Sequence, residues 1–65
     1  MSDADEQLRA AYLVYRAAVL EEHRARETAK AEPSAGNSLS VFLATANRTA
    51  ARETLDAAII QKETK

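Results

Sequence analysis

Alanine returns every seventh residue along both halves of this 65-residue chain. Ala4, Ala11, Ala18 and Ala25 share one heptad register, and Leu8 and Tyr15 hold its alternate position, four residues after Ala4 and Ala11. Ala44, Ala51 and Ala58 repeat the pattern, with Leu55 between the last two. Positions three, four and seven apart share one face of a helix. The side chains at a helix contact set how close the two axes come, and alanine sets them closest. The spacing predicts two helices built to pack against helices.

The breaks in the chain place these helices. Ser2 and Asp5 form a pair resembling a capping box, and Asp3, Asp5 and Glu6 suit the positive end of a helix dipole. Nothing interrupts the first helix until Glu32, which precedes Pro33 and is pushed away from helical geometry. Asp5 with Arg9, and Glu22 with Arg26, are favourable pairs four residues apart. Residues 33–37, Pro-Ser-Ala-Gly-Asn, hold the chain's one proline and one glycine and are its one turn signal. Asn37, Ser38 or Ser40 could cap a second helix, with Lys62 and Lys65 near its negative end. The reading is one all-α domain over residues 1–65. It has a helix at about 3–32, a turn at 33–38 and a helix at about 39–62. A short link between long helices gives an antiparallel hairpin.

A hairpin of this size is short of core. Fifteen of its 30 apolar residues are alanine, and each buried CH₂ contributes only about 0.8 kcal/mol. The chain has no cysteine, so no disulfide reinforces it, and association is the remaining way to stabilise so small a chain. Folding at residues 35–36 brings Leu8, Tyr12, Tyr15 and Val19 against Leu55 and Ile59. The expected core is therefore Leu8, Tyr12, Tyr15, Val19, Ala51, Ala58 and Ile59.

Two features exceed what one hairpin can bury. From residue 8 to residue 20 the first helix is apolar nearly all round; Leu13, Ala17 and Leu20 lie roughly opposite Leu8, Tyr12, Tyr15 and Val19. Such a helix belongs in an interior. In the second helix, Val41, Phe42 and Leu43 point three ways, and Phe42, Leu43, Ala46, Ala50, Ala57 and Ile60 form a stripe away from the alanine register. Two stripes per helix are what a four-helix assembly requires. The residues expected to carry assembly are Leu13, Leu20, Phe42, Leu43, Leu55 and Ile60.

Chemistry is sparse. His23 and Glu27 stand four apart, but the Glu-x-x-His pattern of di-iron bundles is absent, since position 20 is leucine. Ser34, Ser38 and Ser40 have no glycine-rich elbow and no base in sequence reach. Neither catalysis, a metal, a cofactor nor a small-molecule substrate is expected. Residues 21–32 read as a solvated, charged face. Formal net charge is −1, which argues against a general binder of nucleic acid or anionic membrane. Arg9 and Arg16 share one face and Arg48 and Arg52 another, so paired arginines could follow phosphates in a dimer. The acidic start is the reverse of a secretory signal, and the longest near-apolar run, residues 10–20, is too short to span a bilayer. The expectation is a cytoplasmic protein.

In length, helix–turn–helix layout and alanine-rich packing the chain resembles the Rop family, small plasmid-copy-control RNA-binding proteins whose hairpins dimerise into four-helix bundles. It shares no motif with that family, so no residue role carries over. The leading expectation is a non-catalytic interaction module, a regulator, adaptor, inhibitor or accessory subunit, partnered by itself or a larger protein. The alternatives are a Rop-like nucleic-acid-binding regulator using Arg9, Arg16, Arg48 and Arg52, and a structural subunit of a larger assembly such as a phage particle.

Overall fold

The computed structural model describes residues 3–64. It contains two helices, α1 (Asp3–Ala31) and α2 (Ala35–Glu63), packed antiparallel as a hairpin. Each has 29 residues, which at about 1.5 Å per residue gives about 44 Å of helix. That accounts for the molecule's 47 Å length; its other dimensions are 15 and 11 Å. The hairpin is a slab one helix thick, so each helix meets a neighbour along one flank and both broad sides face solvent.

Acidic Asp3, Asp5 and Glu6 occupy the first turn of α1, and Lys30 its last, both favourable to the helix dipole. The proposed cap at Ser2, like Lys65, lies outside the described residues. At the other end the Glu32 N–H still reaches the Thr28 carbonyl, at 2.9 Å. The helix then yields to Pro33.

The turn is shorter than the sequence suggests. α2 starts at Ala35, four residues before the expected 39. Its cap is Ser34, not Asn37, Ser38 or Ser40. Ser34 is extended (φ −157°, ψ 163°), and its hydroxyl accepts from the Asn37 N–H at 3.1 Å. The Asn37 side-chain amide in turn donates to the Glu32 carbonyl, satisfying one of the acceptors left open at the end of α1. Gly36 is not the hinge of the turn: its φ is not positive, and it sits in the first turn of α2. A methyl group there would meet nothing nearer than the Ser34 hydroxyl at 4.0 Å. Gly36→Ala is therefore expected to raise stability, by up to about 0.5–1 kcal/mol. Thermal unfolding checks this; a lower melting temperature would show that α2 does not begin at Ala35.

The seam follows two lines. On the alanine line, Ala4, Ala11 and Ala18 of α1 and Ala51 and Ala58 of α2 are buried, and they are the whole buried apolar set among the described residues. On the parallel wide line stand Leu8, Tyr15 and Glu22 of α1 with Arg48 and Leu55 of α2. Of these Glu22 is buried and the others are half-buried. Glu22 takes a hydrogen bond of 2.8 Å from the Arg48 guanidinium across the seam. That register sets Ala18 against Ala51 and Ala11 against Ala58, and each alanine pair lines a common hollow. Helices meeting methyl to methyl pack closely but bury little.

Candidate interaction surface

The two broad sides differ because the two seam lines differ. The wide side, flanking the larger seam residues, is polar at its centre. Glu22 is 6% exposed despite its charge, and its carboxylate accepts from Arg48 at 2.8 Å and Arg26 at 3.4 Å. A hydrogen bond from Thr45 is the largest influence on Glu22. With Arg48 and Arg26 it holds the carboxyl below its ordinary range, against the opposing effect of burial. Arg48 is held above its ordinary range chiefly by Glu22. Arg52 is raised by its 3.1 Å contact with Asp56 and by Tyr15, over whose ring it lies at 5.8 Å from the centroid, within cation–π reach. Nearer the open end lies an apolar groove floored by Leu8, Tyr12, Leu55 and Ile59. The 2.8 Å ion pair of Lys62 with Asp5 closes it and raises the lysine.

The narrow side, flanking the alanine line, is a furrow. Three adjoining hollows run along it. The first two share Val14, and the second and third share Glu21 and Asn47. The buried Ala11, Ala18, Ala51 and Ala58 lie at its base and the exposed Ala10, Ala17, Ala50 and Ala57 along its sides, and its polar members are chiefly amides and hydroxyls.

The residues expected to carry assembly do not share one face. Leu13, Leu20 and Ile60 are exposed on the backs of the helices, and Leu43 is exposed at the furrow. Phe42 is 70% exposed. Leu55 is half-buried in the hairpin's own seam. Of the expected core, Ala51 and Ala58 are buried, Leu8 and Tyr15 half-buried, and Tyr12, Val19 and Ile59 exposed. The four arginines separate: Arg48 and Arg52 are engaged by Glu22 and Asp56, while Arg9 and Arg16 follow one exposed line down α1.

Glu22 is the residue the sequence reading passes over. Residues 21–32 are exposed except for the buried Glu22 and the half-buried Ala25 and Ala29. The signal was present: seven beyond Leu8 and Tyr15 falls on Glu22, and seven before Leu55 falls on Arg48. His23, next to Glu22 in the chain, is exposed.

Among the described residues, no three histidine, cysteine, aspartate or glutamate side chains gather where they could hold a metal, and no helix is long and apolar enough to cross a membrane. Comparison of the chain with protein-family models, curated proteins and solved structures finds no match.

Proposed function

We propose that this chain is a non-catalytic interaction module that works by helix packing, and that its first partner is itself, two hairpins forming four helices. One observation carries the reading: the hairpin leaves too much surface uncovered. It exposes 4934 Å², whereas a compact monomer of 7.1 kDa exposes about 4,100 Å². The excess matches the roughly 800 Å² that each partner contributes to a standard protein interface. Within the hairpin only alanines and Glu22 are buried among the described residues, and that is a thin core for a cooperative fold.

The nucleic-acid reading is less well supported. It needs paired arginines, and Arg48 and Arg52 already spend their charge on acids of the same chain, which leaves Arg9 and Arg16.

Sedimentation equilibrium at micromolar concentrations tests the proposal. The expected result is a species of twice the 7.1 kDa chain mass, with a melting temperature that rises with protein concentration, as mass action requires of a folded dimer. A single copy that melts cooperatively at a concentration-independent temperature would overturn it.

A further inference from the structure

We infer that the second copy docks on the narrow side, laying its own alanine furrow onto this one and leaving the wide side free. The inference rests on the proposed self-association and names the face that carries it.

Charge separates the two faces. In a two-fold contact each residue meets a residue of the same patch, so a patch with net charge repels its own copy. The furrow flank of α2, from Gly36 through Leu43, Asn47, Ala50, Ala57 and Gln61, holds no ionisable residue. On α1 the flank starts with the exposed Asp3, seven before Ala10, and then runs through Gln7, Ala10, Val14 and Ala17 without a charge until Glu21, which pairs with Arg24 at 3.8 Å. The wide side instead carries Arg9 and Arg16 beyond its internally paired charges, so two copies would meet there with basic surplus against basic surplus.

The furrow's polar groups tolerate burial. The Ser40 hydroxyl donates to the Gly36 carbonyl at 3.1 Å, and the Thr54 hydroxyl to the Ala50 carbonyl at 3.2 Å. Excluding water from them leaves no orphaned donor. Gln7, Asn47 and Gln61 each both donate and accept, so they can bond to polar groups of the same patch on the second copy with no opposite charge to supply. Alanine lines the sides of the furrow as well as its base, so a second pair of backbones can approach closely, with Leu43 beside it as apolar area to cover.

The test compares the faces on the full chain. Ala50 and Tyr12 are both exposed on the hairpin, so a substitution at either leaves the seam intact. Ala50→Arg should raise the dimer dissociation constant at least tenfold, while Tyr12→Arg changes it less than threefold. Because the chain has no cysteine, A50C and Y12C variants give an independent reading. Above the association concentration the A50C thiol should react with a bulky maleimide at least tenfold more slowly than below it, and the Y12C thiol at an unchanged rate. A wild-type chain that never dimerises overturns the parent proposal. A dimer that survives Ala50→Arg, or that protects Y12C and not A50C, overturns this inference alone.

Discussion

Ala18→Leu will destabilise the hairpin by about 1–3 kcal/mol, the usual penalty for forcing extra carbons into a filled contact. Ala51→Leu will do the same from the other helix. Ala18 and Ala51 are 5% and 7% exposed and face each other across the seam, so a longer side chain at either presses on the facing helix except where it turns out into the hollow the pair lines. To the extent that the helices move apart, the move also stretches the Glu22–Arg48 contact beside the same layer. Ala46→Leu is the control: Ala46 is exposed and leucine is nearly as good a helix former as alanine, so stability should stay within about 0.5 kcal/mol. Thermal unfolding followed by circular dichroism, at one fixed protein concentration, reads all three. If Ala18→Leu melts at or above the wild-type temperature, alanine is not what lets these helices meet, and the role given to the seven-residue spacing fails.

That spacing makes the hairpin legible in the sequence. Apolar periodicity names the face of each helix, and Pro33 marks where the chain turns. It does not locate the start of α2. Gly36 suggests a turn by composition, yet a serine one step into the turn had only to become extended to cap a helix that swallows the glycine. Nor does the alanine line fix how far one helix slides along the other. A shift of seven residues sets alanine against alanine again, so the alanine contacts are nearly indifferent to it. The wide line does not repeat in this way: Leu8, Tyr15 and Glu22 differ, as do Arg48, Leu55 and Lys62. The seam becomes specific where a charge from one helix meets its opposite from the other. The heptad spacing points to that meeting, but Glu22 lies in a run of charged neighbours that reads as solvated.

Glu22→Leu and Arg48→Leu should each lower the melting temperature, and the double variant should recover or exceed the wild-type value. Either single change leaves the other partner's charge in the seam without its mate, and an unmatched charge is more costly than none. Removing both puts apolar groups on the wide line, beside Tyr15 and Leu55. Desolvating an ion pair offsets much of its attraction, so the apolar replacement need lose nothing. The acid limb of the stability profile gives the second reading. Glu22 is held below its ordinary value of 4.5 by Thr45, Arg48 and Arg26. Its contribution is therefore complete above that pH and disappears as pH falls through the lowered folded-state value. The wild type should lose stability relative to the double variant across that interval, and the two should run parallel above it. Single variants as stable as the wild type, with an unchanged acid limb, would mean that water screens the pair and that something else sets the register. A double variant less stable than both singles would mean that Arg48 supports the seam in some way besides its contact with Glu22. If the double variant is stable but associates differently, the charged layer's contribution is to specificity: it selects one of the several slides that an alanine seam permits.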